Sequence, residues 1–301
     1  MTEEGDDGLT YADAGVDIDA SEAATAALVG AVGEVEGDYA GLVDLGDRYL
    51  ALATDGVGTK LLVAEALGEY STIGIDCVAM NANDLIAAGV TPVAFVDYLA
   101  VETPDDETAV MPDVVRGLDL AGACAGLATA EEVFDGTARV GDVLVGLPSS
   151  GIHANGLTLA REAATRDHDY TDPFPYDEDR TIGEVLLEPT RIYRDALEPL
   201  LAVETHAAAH VTGGGWTNLR RMGDHRYVVE EPFEPQPVFA FIKEAGEVNA
   251  AEMHRTFNMG TGFVAALPEA DAATVVEELQ DARVIGRIAE GEAVAIRGLE
   301  L

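Results

Sequence analysis

The sequence predicts a two-lobed protein of α/β or α+β class. Short apolar runs of strand character alternate with helical patterns along nearly the whole chain. At least four glycine-rich stretches punctuate these runs, at the points where a strand hands over to the next element. The turn signals Asp135-Gly136 and Gly141-Asp142 then divide the chain, giving residues 1–138 and 139–301 as two domains. A length of 301 residues suits one large domain or two of ordinary size, and 48% apolar residues are ample for a core.

In chain order, residues 11–20 form an extended polar stretch, and Ser21 with Glu22 opens an alanine-rich helix over about 21–32. Asp13 and Asp17 lie in the polar stretch. They are either a solvated acidic turn or part of a flap over a ligand. Residues 42–45 and 48–54, joined at Gly46-Asp47, read as a β-hairpin. The hairpin leads into Asp55-Gly56-Val57-Gly58-Thr59-Lys60, followed by a short helix that Gly68 ends. A long helix over 71–88 follows, with Ser71 as N-cap and Gly89 just beyond its end.

That helix is apolar on most sides, which predicts burial, yet it carries Asp76, Asn81, Asn83 and Asp84. Asp76, Met80, Asn83 and Asp84 share one face. Buried carboxylates need partners; a bound cation or amides of the glycine loop would supply them. The alternative is local capping and an exposed face.

A strand over 92–101 comes next, then an acidic joint at 102–106, strands near 118–127 and 143–147, and a helix over 157–165. Residues 167–180 read as a polar loop. A helix over 191–202, a strand over 206–211, a strand over 263–267, a helix over 269–281 and strands at 284–286 and 294–296 complete the pattern. Glycine loops at 212–215 and 256–262 precede a helix and the strand at 263, respectively.

Composition bounds the function. No run of 18 apolar residues exists, which argues against a membrane partner. The acidic N-terminus lacks the basic and apolar regions of a secretion signal. Cys77 and Cys124 both lie in apolar surroundings and read as reduced, buried thiols of a cytoplasmic protein. The formal charge of −39 is spread along the chain. Self-repulsion of that size is screened only in concentrated salt, where the Debye length falls to about 3 Å at 1 M. The expected setting is a salt-loaded, halophilic cytoplasm. Without a basic stripe, nucleic acid is excluded as a partner.

Two stretches carry chemistry. In the first, Gly56 and Gly58 let the backbone approach a ligand, the amides and Lys60 can neutralise phosphate, and Asp55 can hold its metal. Lys60 and Lys243 are the only lysines in the chain, which singles Lys60 out. The spacing matches neither a Walker A loop nor a dinucleotide fingerprint; a turn that merely needs glycine is the other reading. In the second, Ser149-Ser150-Gly151-Ile152-His153-Ala154-Asn155-Gly156 places small and hydroxyl residues before a helix. His153 can serve there as base or phosphate donor, or as a satisfied loop residue.

Seven segments, in order over nearly the whole chain, carry a resemblance: DAGVDIDA (13–20), DGVGTK (55–60), GIDCVAMNANDL (74–85), ETAVMP (107–112), SSGIHANG (149–156), HVTGGG (210–215) and TFNMGTG (256–262). Together they resemble the AIR synthetase family, the phosphoribosylformylglycinamidine cyclo-ligases of purine synthesis. The resemblance implies an α+β N-terminal, ATP-binding domain that pairs with its copy in a homodimer, and an α/β C-terminal domain. It implies ATP and Mg²⁺ at the cleft, with formylglycinamidine ribonucleotide as substrate. Carried onto this chain, Asp55, Asp84 and Glu107 become metal ligands. Asp13, Asp17, Asp55, Gly56, Gly58, Thr59, Lys60, Asn83 and Asp84 bind ATP. Ser150, His153, Asn155, Thr212, Gly213, Gly214 and Asn258 face substrate. Asp55, Lys60 and His153 are the implied catalytic groups.

Two departures stand out. Ala12 occupies a position where the family often has lysine. The family also carries a helix and strand, roughly 20 residues or more by ordinary element lengths, between DYLAVE (97–102) and ETAVMP. Here only Thr103-Pro104-Asp105-Asp106 stand between them. Two other readings follow: a different ATP-using enzyme of the same superfamily, such as a small-molecule kinase or a selenide- or carbamoyl-processing enzyme, or a nucleotide-binding protein silenced by the missing segment.

Overall fold

The computed structural model describes residues 8–16, 40–100 and 119–301. The helix expected over 21–32, together with Asp17 and Glu107, lies outside the described residues.

The hairpin predicted from the alternating pattern forms: β1 (Gly41–Asp44) pairs antiparallel with β2 (Tyr49–Gly56) across the Gly46 turn. β3 (Thr91–Ala100) and β4 (Asp119–Ala128) complete a four-stranded antiparallel sheet of order β1-β2-β4-β3. Ala51, Ala53 and Cys124 face inward from it and pack on Leu85 and Val90. Small residues there let the next layer come close. A Cβ on Gly122 would sit 2.3 Å from the Phe95 ring of β3 and 3.2 Å from the Asn81 side-chain nitrogen of the layer above.

That next layer is the long helix, α2 (Ile73–Ala87), preceded by the short α1 (Lys60–Leu67). Gly68 ends α1 in the left-handed region, as expected of a C-terminal glycine. α2 starts at Ile73 with Thr72, not Ser71, at its N-cap, and no side chain caps it. It is buried on nearly every side because it is flanked twice. Leu85 meets the first sheet, Ile73 and Cys77 join Leu157, Leu159, Phe239 and Phe257, and Ile86 joins Val145, Leu197 and Phe263. Its apolar circumference is thus the seam between the two halves.

The second half is built on a seven-stranded sheet, antiparallel apart from one parallel pair of strands. Its centre is β5 (Val143–Pro148) beside β10 (Thr261–Leu267), with β8 (Ala207–His210) at the edge next to α2. α3 (Leu157–Ala164) follows β5 after a left-handed Gly156. A 3-10 helix, not an α-helix, follows the triple glycine (Gly215–Met222). The polar loop at 167–180 contains a small hairpin, Pro173–Phe174 with Asp177–Thr181. The structure adds helices at Ile182–Leu186, Pro237–Ala245 and Ala250–Thr256 and a strand at Arg226–Val229.

Candidate functional site

The chemistry-bearing residues meet at the seam. Asp55 ends β2, and its carboxylate accepts from the Gly56 amide at 2.7 Å. Asn81 of α2 donates to the Asp55 carbonyl at 3.1 Å and so ties strand to helix. Burial pushes the Asp55 carboxyl above the usual carboxylate range; the Asp84 charge pushes the same way, while the Gly56 amide and the charges of His210 and Arg221 oppose it.

Asp84 and Asn83 lie next to each other on α2 and hold one imidazole from β8 between them. His210 Nδ1 is 3.0 Å from Asp84 Oδ1, and its Nε2 is 3.3 Å from the Asn83 amide nitrogen. The sequence marked HVTGGG as a segment but did not single out His210. Its signal was a histidine at the end of an all-small strand, Ala207-Ala208-Ala209-His210.

Lys60 departs from expectation. Its ammonium is 0% exposed and does not line an open cleft. It donates to Asp76 Oδ1 at 2.9 Å and to the Glu188 carbonyl at 2.6 Å. Burial depresses its pKa, and the Asp76 carboxylate works against that. The partner expected for the polar face of α2, a bound cation or loop amides, is at Asp76 the chain's own lysine and Thr190. Thr190 donates to Asp76 Oδ1 through its amide (2.9 Å) and its hydroxyl (2.6 Å).

Residues 187–193 of the second half are held along this face as a strap. Thr72 Oγ1 donates to the Leu187 carbonyl and Asn83 Nδ2 to the Arg191 carbonyl. The Tyr193 amide donates back to Asn83 Oδ1 at 2.9 Å. Ser150 joins from the SSGIHANG loop, its hydroxyl donating to the Pro189 carbonyl at 2.6 Å.

His153, in that loop, has φ 67°, a left-handed conformation uncommon outside glycine, though His, Asn and Asp adopt it more readily than other side chains. It is buried, and its Nε2 accepts the Ser150 amide at 3.2 Å. Burial, with the nearby charges of His210, Lys60 and Arg191, drives its pKa well below the ordinary value. Its lone pair is therefore engaged, and the atom left over is the Nδ1–H, which has no partner among the described residues. A neutral donor is what the loop presents, not a base. Asn155 donates to Met80 Sδ at 3.5 Å, and its Oδ1 lies 3.4 Å from where a Cβ on Gly213 would stand. That places the SSGIHANG loop, α2 and the triple glycine side by side.

Asn258 corrects a second expectation. Both ends of its amide are engaged inside the protein: it accepts from the Ser149 hydroxyl and the Gly260 amide and donates to the Gly151 and Ile152 carbonyls. It braces the loop from behind. The Thr212 amide is bound to Asn218, with Gly213 and the left-handed Gly214 following. Thr59 touches Thr158 across the seam, hydroxyl to hydroxyl at 3.0 Å, beside a left-handed Gly58. Asp13 closes a local turn on Thr10 at the surface; its neighbour Tyr11 is anchored by its amide to Glu252.

Among the described residues no group of three His, Cys, Asp or Glu side chains stands ready for a metal. Asp55 and Asp84 nonetheless fit a hard cation. They are two carboxylates close enough for one to raise the other's pKa, and Mg²⁺ commonly takes one or two protein carboxylates and completes its shell with phosphate oxygens and water. Among the described residues no helix is long and apolar enough to cross a membrane.

The family model described as AIR synthase related protein, N-terminal domain, matches residues 37–132, and the corresponding C-terminal domain model matches 139–298. The chain is 45% identical to the phosphoribosylformylglycinamidine cyclo-ligase of Methanosarcina acetivorans, over 94% of this chain and 95% of that one. It is 44% identical, with the same coverage, to the Methanosarcina mazei protein of that name. Both alignments run to 318 residues, longer than this 301-residue chain, so these relatives carry internal residues without a counterpart here. Among solved structures, AaThiL complexed with AMPPCP and TMP matches with TM-score 0.61 at 16% identity, over 94% of this chain and 93% of that one. At that identity the likeness shows the fold alone.

Proposed function

The chain belongs to the AIR synthase related family, and we propose on that footing that it closes the imidazole ring of aminoimidazole ribonucleotide from formylglycinamidine ribonucleotide and ATP. The observation that carries the reading is the convergence at one seam of Asp55, Asp84 and His210 with the SSGIHANG and triple-glycine loops.

The chemistry asks for positioning and charge control more than for a nucleophile. The formamide oxygen takes the γ-phosphoryl group as the bond to ADP breaks. The amidine nitrogen then bonds to the activated carbon and gives up a proton, and inorganic phosphate leaves with its oxygen. Asp55 and Asp84 would hold Mg²⁺, which when bound supplies charge neutralisation at the phosphates. The Gly56–Thr59 backbone approaches the triphosphate, and Asn83 and Lys60 hold the ground beneath it. Asp13 belongs to a flap over the nucleotide. Ser150, His153, Asn155, Thr212, Gly213 and Gly214 shape the substrate pocket, His153 through its loop geometry and Nδ1–H. Residues 1–138 and 139–301 are the nucleotide-side and substrate-side domains.

The partner is a second copy of the chain. The outward face of the first sheet carries Val43, Leu52, Val96, Tyr98 and Leu127 exposed to solvent, beside Ala121, Ala123 and Ala125. A patch so free of charge in a chain of −39 is where two copies can approach without repulsion. The setting is a cytoplasm rich in salt.

ADP release from ATP, dependent on formylglycinamidine ribonucleotide, in about 1 M KCl, tests the reading. Asp55→Asn is expected to lower turnover by about two orders of magnitude or more, in line with loss of a preorganised charge. Turnover that survives the substitution would remove Asp55 from the phosphate site.

A further inference from the structure

The reaction needs two ligands held by different lobes, so something must fix the lobes relative to each other. The strap 187–193 is built for this. At one end three donors converge on a single atom, Asp76 Oδ1: Lys60 Nζ, the Thr190 amide and the Thr190 hydroxyl. Asp76 and Lys60 are wholly buried, and Thr190 is 2% exposed. Asp76 Oδ2 has no partner among the described residues, so every constraint on this carboxylate acts through one oxygen. At the other end Tyr193 gives its amide to Asn83 and its hydroxyl to the Pro148 carbonyl at 3.0 Å. Its ring centroid lies 6.4 Å from that of His153 and 6.3 Å from that of His210. A shift of the strap on α2 therefore moves the substrate loop and the imidazole bound to Asp84 together.

We propose that Thr190 and Tyr193 are positioning residues of the ring-closure step, Thr190 by locking the strap to the buried Lys60–Asp76 pair and Tyr193 by carrying that position to His153 and His210. The assignment rests on the ring-closure reading, with nucleotide on the first domain and substrate on the loops of the second. Each ligand then binds its own lobe whatever the strap does, while phosphoryl transfer between them depends on the strap. Misplacement by an ångström costs up to about a hundredfold in rate without loss of either binding site.

The test is steady-state kinetics and thermal unfolding of the full chain, wild type against Thr190→Val and Thr190→Ser, with ATP and formylglycinamidine ribonucleotide varied separately. Thr190→Val keeps shape and the ion pair but removes one donor. The expected result is a kcat lower by about tenfold to a hundredfold, both KM values within about twofold, a melting temperature close to wild type, and recovery of most of kcat in Thr190→Ser. Unchanged kcat in Thr190→Val, or a rise in KM alone, overturns the assignment. If Thr190→Val does not fold, Tyr193→Phe is read by the same split. A wild-type chain that releases no ADP in the presence of substrate overturns the ring-closure reading and this assignment with it. Wild-type turnover with an unaffected variant overturns the strap alone.

Discussion

Burial holds the Asp55 carboxyl above the ordinary carboxylate range, and the charge of Asp84 adds to the effect. A group with a raised folded pKa stabilises the fold while protonated. That contribution is complete below the unfolded carboxylate value and is lost as pH rises through the folded one. At neutral pH Asp55 is thus a destabilising group, a cost that its proposed place at the phosphates explains. Asp55→Asn should melt higher than wild type at pH 7, by about 1.5 °C for each kcal/mol relieved in a chain of this size, and the gap should close on titration into acid. Melts across pH check it; a variant that melts lower at pH 7 contradicts the electrostatics. Lys60 behaves in the opposite way. Lys60→Met leaves Asp76 charged and buried with its ionic partner gone, at a cost of about 3–5 kcal/mol, measurable by denaturant unfolding at constant salt. A loss below about 1 kcal/mol would show that water reaches Asp76. Scarcity marked Lys60 in the sequence. Its role was hidden because Asp76 and Glu188 are 16 and 128 positions away, and no spacing rule reaches that far.

At the level of elements, α2 was legible because its pattern is so extreme: apolar all round, with four polar residues that demand partners. What could not be read were the partners: Lys60 and Thr190 for Asp76, the strap backbone for Asn83, the Asp55 carbonyl for Asn81 and His210 for Asp84, all distant in sequence. The helices at 182–186, 237–245 and 250–256 were missed although their start signals were present. Thr181 and Glu184 form a reciprocal capping box, Pro237 opens its helix, and Asn249 caps with Glu252 three residues on. They are short and lie among glycines and prolines that read as loop. The glycine loops were visible, but which glycine is obligatory was not. Gly262 is one such position at the start of β10. A Cβ there would stand 2.0 Å from the Tyr193 hydroxyl and 2.7 Å from His153 Cε1. Gly262→Ala should displace both rings and cut kcat by about a hundredfold while leaving ATP affinity near wild type. Equal loss of nucleotide binding would place the damage elsewhere.

For the whole molecule, charge and the bare sheet face make one argument. The first sheet turns Ala51, Ala53 and Cys124 toward α2 and, by the two-residue period of a strand, turns Leu52, Val96 and Leu127 outward. Val96 stands opposite Ala123, and Leu52 opposite Ala125, so the outward row is continuous across three strands. The same period that builds the core therefore creates the face proposed as the interface, and hydrophobic attraction between two such faces must compete with repulsion between two bodies of charge −39. Attraction is short-ranged and insensitive to screening; repulsion fades once the Debye length shrinks to about 3 Å near 1 M salt. Light scattering should show a dimer in about 1 M KCl and dissociation on dilution into low salt. Val96→Asp, a charge in the middle of the face, should leave a monomer at either concentration, with its far-UV spectrum unchanged in high salt. A wild-type monomer at high salt, or a Val96→Asp dimer, would mean that the apolar face is covered by something other than its own copy.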